Sequence, residues 1–207
     1  MVAGLFATSA AQADDLVMQQ DINSLSFLVD VNGQNKSVIA GIFNVSNQTT
    51  GKSFEAFCYE LLQDVSGSVL TIPGLPFAQS AAASSVQKLF NQSFSGLDMN
   101  NYSQLAGFQI ALWEATDDIS LSTGNYSGWV GDPAVDGVAA LAFATNYLNL
   151  LDADAKETGS YNLTVWTNPN SQDVVQATQG NNVPEPSTSL LAALGLAGLA
   201  LARRRKV

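Results

Sequence analysis

One cysteine and one glutamine, both in apolar surroundings, are the residues of this chain with the most distinctive chemistry. Cys58, the single cysteine, lies in the run Phe57-Cys58-Tyr59. Gln109 lies 51 positions later in the helix-forming run Phe108–Trp113. A thiolate that attacks the carboxamide carbon of glutamine expels ammonia and leaves an internal thioester, which stores an electrophile for an amine or hydroxyl. The pair therefore predicts a Cys58–Gln109 thioester cross-link, provided that the fold joins the two residues and excludes water.

Aromatic side chains flank both residues and are suited to keeping water away. Phe57 and Tyr59 flank the cysteine, Phe108 precedes the glutamine, and Trp113 follows the glutamine by one helical turn. The alternative is that the cysteine and the glutamine merely pack, because free cysteine is among the most buried residue types. The protein would then have a structural role without covalent chemistry.

A helix is predicted around the glutamine. Its core face is formed by four residues at 3-4-3 spacing: Leu105, Phe108, Leu112 and Ala115. Asn101, with Gln104 three positions later, resembles a capping box, which predicts a helix from there to about Thr116. Gln109 lies at the edge of the apolar face. A buried amide costs free energy unless it is hydrogen-bonded. We therefore expect the Gln109 amide either to be hydrogen-bonded or to take part in a covalent reaction.

A buried strand is predicted around the cysteine. Phe54, Ala56 and Cys58 alternate along one face, whereas Phe57 and Tyr59 share the other. Both faces carry apolar groups, which indicates a central strand of a sheet.

The order of the predicted elements gives the fold class. The first part of the chain, Leu16–Asp64, is predicted to form strands, with turns at Asn32-Gly33 and from Asn47 to Gly51. The middle part is predicted to be helical: a helix over Ala78–Asn91, the helix that carries Gln109, a loop or lid over Ser120–Gly131, and a helix from Pro133 to about Asp152. The last part is predicted to return to strands, at Tyr161–Trp166 and Ser171–Ala177. Strands, then helices, then strands predict an α+β domain whose β-sheet core, sandwich or barrel-like, holds an inserted helical subdomain.

Composition excludes several classes of function. The 207 residues include 18 acidic residues, 8 basic residues and no histidine. Without histidine there is no Ser-His or Cys-His pair and no histidine metal site, which argues against a cysteine hydrolase or a transglutaminase-like enzyme. A thioester reacts once, so we expect a covalent binding module that is not an enzyme, and no cofactor is predicted. Residues 14–183 carry 17 acids against four lysines, a net charge of −13, so nucleic-acid binding is not expected.

Loop acids could in principle form a calcium site. Asp117 and Asp118 are adjacent, and Asp98 and Asp132 lie in flanking loops. Their spacing lacks the alternating Asp or Asn, the glycine and the terminal glutamate of a known calcium loop. Solvated loop acids are favoured, and no metal is predicted.

Three short motifs resemble those of the bacterial surface thioester domains. Phe57-Cys58-Tyr59 looks like their aromatic-Cys-apolar motif, and Phe108–Trp113 looks like their Gln-x-Ala-apolar-Trp motif, with Phe108 where that family usually has Thr, Ser or Ala. Val86-Gln87-Lys88-Leu89-Phe90 matches an intermediate apolar-Gln-x-x-apolar motif. The three motifs occur in the family order.

The resemblance covers roughly Leu25 to Asn168 and implies a thioester domain over residues 14–180. It implies that Cys58 and Gln109 form the bond, and that the partner is an amine- or hydroxyl-bearing molecule of a surface or matrix. It also implies that Gln87 supports the thioester region by hydrogen bonding. The alternative for Gln87 is a solvated helix residue.

The N-terminal residues 1–13 have the pattern of a residual secretory signal peptide. An apolar, alanine-rich stretch ends in Ala11-Gln12-Ala13, a small-x-small site that predicts cleavage before Asp14.

Residues 181–207 form a three-part segment. Pro184-Glu185-Pro186 is followed by an apolar stretch from about Leu190 to Ala202 and then by a basic tail of Arg203, Arg204, Arg205 and Lys206. The segment resembles the PEP-CTERM sorting signal of Gram-negative bacteria; a plain tail anchor is the alternative. The resemblance implies transient membrane insertion, cleavage by an exosortase, and delivery to the outer surface or the extracellular polysaccharide matrix.

Overall fold

A computed structural model describes residues 14–61, 63, 68–73, 81–132, 136–168 and 170–180. Its elements, in chain order, are β1 (Asp14–Val31), β2 (Gln34–Asn47), β3 (Lys52–Cys58), β4 (Ser68–Pro73), α1 (Ala81–Ser93), α2 (Tyr102–Ala115), β5 (Tyr126–Gly131), α3 (Gly137–Asp152), β6 (Tyr161–Thr167) and β7 (Val174–Gln179), with a short 3-10 helix at Phe94–Gly96. The predicted α+β class with a sheet core is confirmed. Within these ranges no helix is both long and apolar enough to span a membrane.

The strand pairings are antiparallel and close on themselves. Starting from β1, the neighbours are β2, β3, β7, β6 and β4, and β4 pairs again with β1. The length of β1 makes this closure feasible, because Asp14–Val17 pairs with β4 while the same strand pairs along its length with β2. The later part of β1, from Phe27 to Val31, adds β5 on its other side. The connectivity is therefore barrel-like, with β5 outside the circuit.

The two predicted turns are present at the ends of β2. Asn32 and Gly33 join β1 to β2 with φ values of 53° and 83°, the left-handed pair that a two-residue hairpin turn requires. At the other end, Asn47 Oδ1 accepts from the Thr50 backbone N–H at 2.9 Å, and Gly51 takes a φ of 68°. Local turn chemistry thus determines the β1–β2–β3 meander.

Helix α2 begins as the capping residues predict. The Asn101 side chain accepts from the Gln104 backbone N–H at 3.0 Å. The Gln104 side chain reaches back to the backbone N–H of Asp98 at 2.7 Å. The helix ends at Ala115, one residue before the predicted end.

Helix α2 is the centre of the core, and it is buried on more than the core face that the 3-4-3 spacing predicts. Twelve of its fourteen residues are buried. The sheet covers one side and helices α1 and α3 cover another. Gly107 allows the close approach to α3, because an added Cβ would lie 2.6 Å from Ala140 O and 2.6 Å from Phe143 Cβ.

Strand β3 separates two apolar clusters, as its alternation predicts. Cys58 belongs to a cluster with residues of β1, β2 and β5 and with Ala106, Ile110 and Trp113 of α2. Phe57 belongs to a second cluster with α1, α3 and the other side of α2. Cys58 therefore lies where the sheet and the central helix meet.

Two predicted boundaries need correction. The segment predicted as a loop or lid over Ser120–Gly131 contains β5, because Tyr126 and Trp129 are buried and the strand pairs with β1. Gly128 adopts a φ of 64° beside a register shift in that pairing. The glycine interrupts the alternation of apolar and polar residues that would have predicted a strand. Helix α3 starts at Gly137, after Asp136 in a left-handed conformation, and ends at Asp152 as predicted; residues 133–135 lie outside the described ranges.

Candidate functional site

The fold brings Cys58 and Gln109 into direct contact. The backbone N–H of Cys58 donates to Gln109 Oε1 at 2.8 Å, and Gln109 Nε2 donates to the backbone carbonyl of Cys58 at 2.8 Å. Cys58 is 1 % exposed and Gln109 is 0 % exposed. The carboxamide carbon of Gln109 carries both of the paired atoms, so it lies alongside the residue that bears the thiol.

The sheet leaves a place for this amide. The β2–β3 ladder ends at the pair Phe43 and Ala56, whereas β3 continues to Cys58 on its β7 side, opposite Val174. The Cys58 N–H and C=O groups thus lack a strand partner on the β2 side. The Gln109 amide supplies the acceptor and the donor that a residue of β2 would have provided if the β2–β3 pairing had continued to Cys58. It thereby satisfies the buried N–H and C=O groups of Cys58.

The thiol of Cys58 lies in a dry environment. Trp113 shares its cluster, and Trp129 stacks on Trp113 with ring centroids 6.0 Å apart and planes 8° apart. Burial, with a smaller contribution from the negative charge of Glu60, raises the pKa of the Cys58 thiol far above its ordinary value. The sulfur is therefore protonated at neutral pH and shielded from solvent.

The other predicted supporting aromatics lie across the strand from the thiol. Phe57 contacts Phe108 with ring centroids 4.9 Å apart, and the half-buried Tyr59 packs against the same cluster. These rings cover the opposite face of β3 and α2. Of the four aromatic residues named from the sequence, Trp113 is the one that shares the cluster of Cys58.

Gln87 occupies a different part of the molecule from the pair. Its Nε2 donates to the backbone carbonyl of Tyr161 at 2.9 Å and to Asn91 Oδ1 at 3.1 Å. The side chain is half-buried and joins α1 to β6. The described contacts of Gln87 include neither Cys58 nor Gln109, so its hydrogen bonds support the α1–β6 junction.

Sequence reasoning missed Glu114, which is buried and ionisable. It is 0 % exposed, and its Oε1 accepts from the indole N–H of Trp129. Burial, opposed by that hydrogen bond and reinforced by Asp118 and Asp117, raises the pKa of Glu114 to about 8. The available signal was that Glu114 is the single charged residue of the apolar run Leu105–Ala115.

Comparison with known proteins identifies the C-terminal segment. Residues 182–206 match the PEP-CTERM protein-sorting motif family. The motif indicates an exported protein that an exosortase processes for the cell surface or matrix of a Gram-negative bacterium. The match includes Pro184-Glu185-Pro186 and Arg203–Arg205, as predicted; these residues, like residues 1–13, lie outside the described ranges. No curated protein and no solved structure matches the chain.

Proposed function

We propose that this exported protein attaches covalently to an amine- or hydroxyl-bearing surface or matrix partner through an internal thioester between Cys58 and Gln109. The observation that carries the proposal is the two-way hydrogen bonding between the Gln109 carboxamide and the Cys58 backbone, 51 residues apart in sequence. It supports the proposal because the single thiol and a carboxamide carbon must be held together before they can react.

The bonding pattern suits attack by the sulfur on the amide. The Cys58 backbone N–H donates to Gln109 Oε1, the oxygen on which negative charge develops when the sulfur adds to the carboxamide carbon. The carbon–sulfur bond forms and the carbon–nitrogen bond breaks. The thiol proton leaves with the amide nitrogen, so the products are the thioester and one ammonia.

The surroundings of the pair would preserve the product. Hydrolysis needs water at the acyl carbon, but both residues are buried and the stacked Trp113 and Trp129 belong to the cluster of Cys58. A partner nucleophile that reaches the acyl carbon displaces the thiolate and keeps the acyl group. Each molecule reacts once, so the activity is covalent binding without turnover.

A non-covalent structural role in the exopolysaccharide matrix is the second candidate, and two observations favour it. The Gln109 amide already satisfies the open backbone groups of Cys58, which is sufficient reason for a buried glutamine. Burial raises the pKa of the thiol, which disfavours the thiolate that attacks. In this alternative, Gln109 completes the sheet and Cys58 is a core residue.

Amine incorporation distinguishes the two candidates. Exported protein treated with methylamine should gain one methylamine at Gln109 and release one titratable thiol. The variants Cys58→Ala and Gln109→Ala should do neither. Gln92→Ala is the matched control, because Gln92 is also a buried glutamine, 6 % exposed, with its amide bonded at 2.7 Å to the Ala155 carbonyl and away from the thiol.

The control should react like the wild-type protein. A wild-type protein with an unmodified Gln109 and a thiol that titrates only on unfolding would support the structural role and contradict the covalent one.

A further inference from the structure

Three carboxylates meet where α2 ends and the loop to β5 begins. Glu114 is on the last turn of α2, and Asp117 and Asp118 follow it. One carboxylate oxygen from each residue lies within 4.8 Å of the other two. In the described part of the chain, none of the three forms an ion pair with a basic side chain. Like charges this close are unfavourable unless something neutralises them.

The buried member of the group has an oxygen without a partner. Glu114 Oε2 is inaccessible to solvent and accepts no hydrogen bond from any described residue, although Oε1 is bonded to the Trp129 indole N–H. A buried carboxylate oxygen that lacks a donor costs free energy. One of its carboxylate oxygens lies within 4.8 Å of an oxygen of each aspartate, so the carboxylate borders both of them. The unpaired oxygen therefore belongs to a buried group that faces the acidic cluster.

The two aspartates retain lone pairs for a ligand. Asp118 accepts one bond at each oxygen, from the Ser120 backbone N–H at 3.1 Å and from Thr123 Oγ1 at 2.6 Å. A carboxylate offers about four lone-pair sites, so about two remain on Asp118. Asp117 accepts from the Asn125 side-chain amide at 2.6 Å and from two backbone N–H groups of Asn125 and Tyr126. These hydrogen bonds orient both carboxylates and leave lone pairs on them that can bind a ligand.

The spacing matches a single ion. Ca²⁺ takes oxygen ligands at about 2.3–2.6 Å, so two ligands of one ion can be at most about 5 Å apart. The three carboxylate oxygens lie within 4.8 Å of one another, as ligands of one ion must. Mg²⁺ keeps several waters and is usually bound through one or two carboxylates, so a set of three carboxylates suits Ca²⁺ better.

We propose that Glu114, Asp117 and Asp118 bind one divalent cation, with Ca²⁺ the matching ion. The ion supplies Glu114 Oε2 with the partner that it lacks and offsets the charge of the cluster. It ties the end of α2 to the loop that leads into β5. The sequence argued against a calcium loop because the acids lack the spacing of a known loop, and Glu114, three residues before Asp117, was not considered with them.

Terbium luminescence tests the site directly. Tb³⁺ takes the place of Ca²⁺ at oxygen sites, and Trp129, hydrogen-bonded to Glu114, can sensitise its emission. The exported, processed protein, freed of metal with a chelator and dialysed, should give tryptophan-excited Tb³⁺ emission that Ca²⁺ suppresses competitively. Titration calorimetry with Ca²⁺ alone should give one site per chain.

Charge-neutralising variants locate the ion. Glu114→Gln and Asp118→Asn should each weaken Ca²⁺ binding by at least about tenfold, since even partners outside the ligand set commonly cost 10- to 100-fold. Asp98→Asn is the matched control, because Asp98 is an exposed loop acid on the other end of α2 and outside the cluster. Its affinity should stay within about twofold of the wild type.

Three results would overturn the proposal. The first is the absence of Ca²⁺ binding at millimolar concentration, the weak end of extracellular calcium sites. The second is equal binding by wild-type protein and Asp118→Asn, an exposed change that tests the site even where Glu114→Gln fails to fold. The third is equal weakening by Asp98→Asn, which indicates only a general attraction of cations to an acidic protein.

Discussion

The carboxamide of Gln109 continues the sheet at Cys58, donating to and accepting from the same backbone residue at 2.8 Å. A side chain of the central helix thereby takes the place of a strand residue, and the contact joins the sheet to the helical layer. The covalent and the structural candidates both depend on this pair. They differ in whether the sulfur reacts with the carbon that the hydrogen bonds hold.

Removal of the Gln109 amide should destabilise the fold more than removal of a half-buried amide elsewhere. Gln109→Ala leaves the Cys58 N–H and C=O without partners in a dry site, and each unsatisfied group costs about 1–3 kcal/mol, so we expect a loss of roughly 2–6 kcal/mol in the free energy of unfolding. Gln87→Ala, which gives up the bond to the Tyr161 carbonyl, should cost about 1 kcal/mol. Urea unfolding measures both. Equal losses would mean that the Cys58 pairing contributes nothing particular.

The bond between Trp129 and Glu114 should contribute more than a comparable indole bond. Trp129→Phe keeps an aromatic ring against Trp113 but removes the donor to a buried carboxyl, which should lower the free energy of unfolding by about 1–3 kcal/mol. Trp166→Phe is the control, because Trp166 is similarly buried and its indole N–H bonds to the neutral Gln176 side chain at 3.2 Å. The control should lose no more than about 1 kcal/mol. A smaller loss for Trp129→Phe than for Trp166→Phe in thermal or urea unfolding would contradict this account.

Local signals predicted the elements that hold the pair. The alternation around Cys58 correctly placed Phe57 and Cys58 on opposite faces of β3, and Asn101 with Gln104 correctly gave the start of α2. Both depend on residues close in sequence. The resemblance to thioester domains gave the pair itself, but comparison with known proteins supports the sorting segment alone.

Long-range features were not accessible to the same reasoning. The pairing of β4 with β1 joins segments more than fifty residues apart, and nothing local encodes it. Strand β5 was missed because Gly128 interrupts its alternation. The burial of Glu114 follows from the sheet and the helices that pack around α2, whereas the 3-4-3 spacing identified one core face and gave no information on the rest of the helix.

Processing should remove both ends of the chain. We expect protein recovered from outside the cell to begin near Asp14 and to end near Pro184 to Pro186, because the PEP-CTERM motif directs exosortase cleavage. Deletion of Arg203–Val207 should retain the protein in the membrane or inside the cell, since the basic tail holds the segment during export. Peptide mapping of the secreted and the cell-associated fractions measures both outcomes. Recovery of peptides from residues 203–207 in secreted material would contradict exosortase processing.

The chemical state of residue 109 tests the central claim most directly. Mass spectrometry of freshly exported protein should show one ammonia less than the processed sequence requires, and after methylamine treatment the peptide that contains residue 109 should carry one methylamide. Hydrolysis during handling would leave glutamate at position 109 beside a free thiol, which still records that the thioester had formed. Unmodified glutamine at position 109 together with a free Cys58 thiol, in protein that has never been exposed to amines, would contradict the covalent account.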